Sequence, residues 1–122
     1  MESSKLRKIT EQEKVLLKYL ITSVNYRTEN NWEEKIRVKS LDDGNMGSLE
    51  LFLNNYFRKD RIFGEQIAEC YFFDTDDVKV IASLNIDDNG DLYELDVWKT
   101  DFSPLSEIPK DINQFFHSSI DI

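Results

Sequence analysis

Three consecutive stretches of this sequence, 66–73, 78–86 and 91–98, alternate between apolar and polar residues. A period of two is the pattern of a β-strand that buries one of its two faces. Turn-forming residues separate the stretches, with Asp74–Asp77 after the first and Asn89-Gly90 before the third. The pattern therefore predicts three antiparallel strands that are joined by two hairpins.

The two turns also predict how the strands pair. A two-residue type I′ turn at Asn89-Gly90 sets Leu84 opposite Leu95, and a turn at Asp74–Asp77 sets Phe73 opposite Val78. Both registers place one set of residues on a common buried face, namely Ile67, Tyr71, Val80, Ala82, Leu84, Ile86, Tyr93, Leu95 and Val97. The opposite face is predicted to carry Cys70, Phe72, Ile81 and Trp98, bordered by Glu94 and Asp96.

The rest of the chain predicts one helix and two more strands. Thr10 and Glu13 form a capping-box pattern, after which apolar residues recur at helical spacing, so we expect a helix over 11–23. Alternation predicts strands over 36–41 and 48–53, and 106–122 is predicted to be a C-terminal tail. The expected fold is a single α+β domain over 1–122, with the N-terminal helix packed on a mainly antiparallel sheet of about five strands.

Composition favours a compact domain that works in the cytoplasm. The chain has 122 residues, of which 40% are hydrophobic and 12% aromatic, enough for one core. Cys70 is the single cysteine, so no internal disulfide can form, and no apolar leader follows Met1. The sequence also has no apolar run of membrane-spanning length. We therefore expect a cytoplasmic protein that does not bind membranes.

Acidic residues dominate the charge. The formal net charge is −9, which disfavours nucleic acid as a direct ligand. Between positions 74 and 96 there are eight carboxylates, Asp74, Asp76, Asp77, Asp87, Asp88, Asp91, Glu94 and Asp96, against one base, Lys79. These carboxylates are interpreted either as a solvated rim of turns or as a docking surface for a basic protein. For the second interpretation the predicted partner-binding residues are these eight together with Phe72 and Trp98.

Two alternatives also apply to the apolar face around Cys70, Ile81 and Trp98. The C-terminal segment could fold over it, using Ile108, Ile112, Phe115 and Phe116. Otherwise the face is a hot spot for a partner, with an aromatic anchor and a charged surround.

Patterns for catalysis and for metal binding are weak. Asn85, Asp87, Asn89 and Gly90 match the start of a calcium loop, but its twelfth position is Asp96 rather than Glu and both flanks read as strands. Glu94 and Asp96 could be a carboxylate pair, yet nothing in the sequence supplies a cleft or an oxyanion site. We expect no catalytic residue, no metal and no cofactor, and hence a protein that is not an enzyme.

Two motifs resemble a family of small uncharacterised bacterial domains. They are DGxMGSL, here Asp43–Leu49 with Asn45 where the family has Gly, and GxLYELDVWKxDFSPL, here Gly90–Leu105. Arg7–Glu13 resembles the family's helix start, so the similarity covers about 7–105. In size and acidity the chain is also similar to immunity proteins of contact-dependent growth inhibition systems, which neutralise a toxin domain by binding it.

Three functions remain open at this point. The leading hypothesis is an immunity protein that binds a cationic toxin domain, such as a nuclease. The second is a small enzyme or ligand-binding domain with a site at Asp43, Ser48, Lys99 and Asp101. The third is a homo-oligomeric module that associates through the Trp98 face.

Overall fold

The computed structural model describes residues 5–53 and 58–117. Its elements follow one another along the chain as β1 (Arg7–Lys8), α1 (Glu11–Ser23), α2 (Trp32–Lys35), β2 (Arg37–Ser40), β3 (Leu49–Phe52), β4 (Phe63–Phe73), β5 (Lys79–Asp87), β6 (Leu92–Lys99), a 3₁₀ turn (Ile112–Gln114) and β7 (Phe116–His117). Part of the expected domain range, at 1–4, 54–57 and 118–122, lies outside the described residues.

The seven described strands form one antiparallel sheet in the order β1-β2-β3-β6-β5-β4-β7. The prediction of about five strands is therefore wrong, and the protein is richer in sheet than expected while keeping an α+β character. The two additional strands are β1 and β7, which lie at the two edges of the described sheet. Each has two residues, which is too short for an alternating pattern to appear in the sequence. The expected C-terminal tail contributes β7.

Helix α1 begins at the capping box that the sequence indicates. The Thr10 hydroxyl accepts from the Glu13 N–H at 3.1 Å, and the Glu13 carboxylate accepts from the Thr10 N–H at 2.9 Å. The helix lies against β4 and β5. It buries an apolar stripe there, which consists of Leu16, Leu17, Leu20 and Ile21. One face of the sheet is thus covered by α1, and we call the opposite face the outer face.

The loop between β4 and β5 has three residues, 75–77, one fewer than the predicted turn over 74–77. The Asp74 N–H donates to the Val78 carbonyl at 3.0 Å, and Asp77 takes the left-handed conformation at φ 66°. Phe73 therefore pairs with Lys79 rather than with Val78. Since a shift of one residue exchanges the two faces of a strand, the expected faces of this part of β4 are wrong.

Side chains in this part of β4 therefore lie on the opposite face of the sheet from the one expected. Phe72 and Cys70 are both fully buried on the helix side, whereas Tyr71 lies on the outer face beside Ile81. Burial raises the pKa of the Cys70 thiol to about 12. A register shift near Ile67 interrupts the pairing towards the other end of β4.

The second hairpin keeps its predicted register although its turn differs. The Asp87 N–H donates to the Asp91 carbonyl at 2.8 Å, so the loop has three residues, with Gly90 at φ 87°. Ile86 accordingly faces Leu92 and not Tyr93. A bulge next to this pair restores the register. The predicted pairs further along, such as Ile81 with Trp98, are confirmed.

The C-terminal segment divides between the two sides of the sheet. Phe115 is buried on the helix side and contacts Phe72 at 5.6 Å between ring centroids. Phe116 pairs with Tyr71 and stays 44% exposed. Trp98 is 40% exposed, so the described part of this segment, up to His117, leaves Trp98 accessible on the outer face.

Substitutions at neighbouring phenylalanines test the corrected register. We expect Phe72→Ala to lower the free energy of unfolding by about 3–5 kcal/mol, because it removes a fully buried ring. The matched control Phe73→Ala removes a ring that is 47% exposed, and should cost about 1 kcal/mol or less. Urea unfolding followed by circular dichroism measures both, and equal losses would contradict the register.

Candidate binding surface

An apolar row crosses the outer face. Trp98, Ile81, Tyr71 and Phe116 are direct neighbours on β6, β5, β4 and β7. The rings of Tyr71 and Phe116 stack at 5.2 Å between centroids. We call these four residues the aromatic row. Contiguous exposed apolar surface of this kind is typical of an interaction site.

Two further rings extend the aromatic row at the end of the strands nearest Asp74. Phe73 meets Tyr71 edge-on at 5.8 Å, and Phe102 meets Trp98 at 5.8 Å. The ammonium group of Lys79 lies 4.4 Å from the centroid of the Tyr71 ring. The Tyr71 ring therefore already accommodates one cation.

Carboxylates border the aromatic row on the same face. Asp96 lies two residues before Trp98 on β6, and Glu94 lies two residues before Asp96. Glu50 of β3 is paired directly with Glu94. We call Glu50, Glu94 and Asp96 the acidic border. It begins about 7 Å from the aromatic row, which is the spacing of alternate residues on a strand.

The acidic border holds charges of one sign close together. Burial is the largest influence on the pKa of Glu94 and raises it, and the negative charges of Asp96 and Glu50 raise it further. A hydrogen bond from Asn85 opposes them without restoring the ordinary value. A cation placed beside Glu94 would relieve this repulsion.

Arg61 supplies part of that compensation and was missed by the sequence analysis. Its side chain is 2% exposed and its guanidinium group lies 3.3 Å from the Glu50 carboxylate. The group also donates to the carbonyls of Leu51 and Leu92, at 2.8 and 3.0 Å. It sits between two rings, 4.7 Å from Phe52 and 4.9 Å from Tyr93 by centroid. Because 56–64 shows no periodicity, no pattern pointed to this residue.

The structure brings only some of the predicted partner-binding residues together. Glu94, Asp96 and Trp98 share the outer face. The remaining acidic residues lie at two turns at opposite ends of β5, with Asp74, Asp76 and Asp77 at one end and Asp87, Asp88 and Asp91 at the other. Phe72, Asp74 and Asp87 are buried at 0%, 3% and 2% exposure. A buried side chain offers no surface to a partner, so these three do not belong to the candidate surface.

Asp74 instead closes a buried ion pair. Its carboxylate lies 2.8 Å from the Lys99 ammonium group and accepts from the N–H groups of Ser106 and Glu107 at 2.7 and 3.1 Å. Lys99 is 1% exposed and also contacts Asp76 at 2.7 Å. These contacts tie the β4–β5 turn to the end of β6.

Asp87 organises the other turn in a similar way. Its carboxylate accepts from the N–H groups of Asn89 and Asp91, at 2.8 and 3.0 Å. It also lies 3.4 Å from the guanidinium group of Arg61. The residues that resemble a calcium loop thus form a hairpin turn, and the described part of the chain contains no group of three or more His, Cys, Asp or Glu residues placed to hold a metal ion.

Residues of the alternative ligand site bond to different partners. Asp43 accepts from the Met46 and Ser48 N–H groups, at 3.1 and 3.0 Å. The Ser48 hydroxyl accepts from the Val97 N–H at 2.8 Å. Lys99 is committed to its ion pair, while Asp101 accepts from Ser103. The two motifs therefore contact each other through the Ser48 hydroxyl and the Val97 N–H. Their polar groups form hydrogen bonds and an ion pair within the protein, and these fix the local backbone.

Three surface grooves of the described chain are not lined by the four residues of the alternative ligand site. Grooves of about 420, 250 and 440 Å³ are lined around Asp74 and Glu107, around Tyr26 and Asp91, and around Lys8 and Glu33. None of the three is lined by Asp43, Ser48, Lys99 or Asp101. No helix within 5–53 and 58–117 has the length and apolar character needed to cross a membrane.

Breaking the buried ion pair should destabilise the fold strongly. Lys99→Met leaves the buried Asp74 carboxylate without its cation, so we expect the Tm to fall by roughly 10 °C or more. The matched control Lys110→Met removes a lysine whose side chain is 77% exposed, and should change the Tm by less than about 2 °C. Scanning calorimetry distinguishes the two, and a small effect of Lys99→Met would refute this role.

Acid should weaken the same contact. Burial by itself raises the pKa of Asp74, but Lys99 and backbone N–H groups outweigh it and hold the pKa below its ordinary value. The stabilisation is complete above the pKa of the unfolded chain and is lost as the pH falls through the folded value. We expect Asp74→Asn to show a smaller loss of unfolding free energy than wild type between pH 6.5 and 3. Identical pH profiles of wild type and Asp74→Asn in urea unfolding would argue against stabilisation by the ionised Asp74 carboxylate.

Comparison with known proteins gives a family but no activity. No curated protein and no solved structure matches the chain. A family model described as a domain of unknown function, DUF6984, matches residues 6–109. The match takes in every described element from β1 to β6. The chain therefore belongs to the DUF6984 family.

Proposed function

We propose that this chain is a protein-binding domain that takes a basic protein partner on its outer face. The observation that carries the proposal is the aromatic row, Trp98, Ile81, Tyr71 and Phe116, open on a sheet face that also bears the acidic border. A few residues carry most of the binding energy at a typical protein interface, and Trp and Tyr are enriched among them. Carboxylates beside them select a partner by charge and speed its approach.

Charge favours a basic partner over a second copy of this chain. The acidic border and the net charge of −9 would repel the same surface on another molecule. Of the three carboxylates of the acidic border, only Glu50 has a described salt bridge, which it forms with Arg61. A partner with Arg or Lys opposite Glu94 and Asp96 would gain attraction at both. Homo-oligomers through the Trp98 face are thus disfavoured, and sedimentation should return the monomer mass.

The finer proposal is that the partner is a toxin domain which this chain neutralises in the cytoplasm. It is supported by the acidity of the chain, which suits a cationic nuclease, and by the general similarity to immunity proteins in size and charge. The free thiol of Cys70 fits a reducing compartment. Binding over the toxin's cationic surface would keep its substrate away, with no reaction carried out by this chain.

Site-specific cross-linking identifies the partner. A photoreactive phenylalanine analogue replaces Phe116 on the outer face in the cell that produces the protein, and replaces Val24, which is 39% exposed at the end of α1, as the control. We expect a basic protein to be cross-linked from position 116 and not from position 24. The same adducts at both positions would contradict the proposal.

Binding of the partner that cross-linking identifies, purified on its own, then tests the charges of the acidic border. Glu50→Gln, Glu94→Gln and Asp96→Asn together should weaken binding by about tenfold or more and flatten its salt dependence. The matched control changes the net charge equally at exposed sites elsewhere, with Glu11→Gln, Glu34→Gln and Asp42→Asn. Equal affinities of the two triple variants would rule out the acidic border as the docking site.

The pH dependence of binding gives an independent check. Because the pKa of Glu94 is raised in the free protein, a cation that binds beside it must lower that pKa and favour the ionised form. We expect affinity to fall as the pH is lowered from 7.5 towards 5, and Glu94→Gln to reduce this dependence. Calorimetric titrations across this range measure it, and an unchanged profile in the variant would count against contact at Glu94.

Growth assays test the toxin proposal separately. The partner that cross-linking identifies, produced alone in a host cell, should inhibit growth. Co-production of the wild-type chain should restore growth. The acidic-border variant should restore growth less than the control triple variant does. A partner without any effect on growth would leave protein binding intact but would refute neutralisation of a toxin.

A further inference from the structure

Phe102 has a backbone conformation that is unusual for its residue type. Four described residues other than glycine have positive φ, and three of them are Asn25, Asn45 and Asp77. Asn and Asp tolerate the left-handed region, whereas a bulky aromatic residue there is strained. Phe102 lies at φ 65°. Strain of this kind persists only where the surroundings impose it, and it concentrates at binding sites.

The turn after β6 imposes this conformation through its backbone. The Phe102 N–H donates to the Lys99 carbonyl at 2.8 Å, and Lys99 is fixed by its ion pair with Asp74. The Asp101 carboxylate accepts from the Ser103 N–H at 3.0 Å and from its hydroxyl at 2.6 Å. None of these bonds involves the side chain at position 102. Glycine or asparagine would fit the same turn with less strain.

The Phe102 side chain contributes little to the core. It is 68% exposed, more than any other large hydrophobic side chain in the described part of the protein. Its ring contacts Trp98, at 5.8 Å and a tilt of 55°, and so lengthens the aromatic row beyond the end of β6. Neither the turn nor the core accounts for an aromatic residue here.

We propose that Phe102 is a partner-binding residue, retained in strained backbone because its ring and that of Trp98 together receive an Arg or Lys side chain of the basic partner. This inference rests on the proposed function. Exposed Asp101 adjoins Phe102, and Asp96 lies two residues from Trp98 on the same face. The outer face already holds cations on rings in two places, Lys79 on Tyr71 and Arg61 on Phe52. Rings flanked by carboxylates are suited to bind another cation.

Substitution at position 102 separates binding from stability. Phe102→Gly relieves the strain and removes the ring, so its Tm should be equal to that of wild type or up to about 4 °C higher. Its affinity for the purified partner that cross-linking identifies should fall by about tenfold or more. Phe102→Leu keeps apolar bulk but lacks an aromatic ring, and should lose several-fold in affinity.

Three results would overturn the inference. A lower Tm for Phe102→Gly would mean that the ring serves the fold, and unchanged affinity would mean that the partner does not use it. Wild-type affinity of Phe102→Leu would exclude contact between a cation and the ring. If Phe102→Gly binds normally while the acidic-border variant does not, this inference fails and the proposed function stands. If both bind normally, the proposed function fails as well.

Discussion

The buried ion pair between Asp74 and Lys99 is the contact on which the candidate surface depends. Asp74 begins the β4–β5 turn and Lys99 ends β6, so their 2.8 Å contact joins two places that are 25 residues apart in sequence. Backbone N–H groups of Ser106 and Glu107 donate to the same carboxylate and bring in the C-terminal segment. These contacts fix the end of the sheet at which Tyr71 and Trp98 lie on the outer face, and they hold the turn that carries Phe102 in place.

Strand β6 shows how one sequence serves both the core and the surface. Leu95 and Val97 point to the helix side and are buried, while Glu94, Asp96 and Trp98 alternate with them on the outer face. The stability of the domain depends on the first set, and the proposed recognition depends on the second. Substitutions on the outer face can therefore change binding with little effect on the fold, which is why the proposed function can be tested separately from stability.

Much of this arrangement could be predicted from the sequence, because β5 and β6 each alternate over eight or nine residues. Their pairing, and the outward position of Trp98, follow from that pattern. The length of the Asp74 turn could not be predicted, since left-handed Asp77 closes a three-residue loop without a glycine to signal it. That difference of one residue in the pairing buried Phe72 and placed Tyr71 on the outer face. Arg61 was missed because 56–64 is irregular. Phe116 was considered only as part of a segment covering the apolar face, because its two-residue strand is too short to show a period.

A crystal structure of this chain bound to its purified partner tests the central claim most directly. We expect the partner to cover Trp98, Ile81 and Tyr71 and to place Arg or Lys side chains within about 4 Å of Glu94 and Asp96, which is the distance of an ion pair. A partner seated instead on α1 or on the β1 edge, with the outer face left in solvent, would contradict the account.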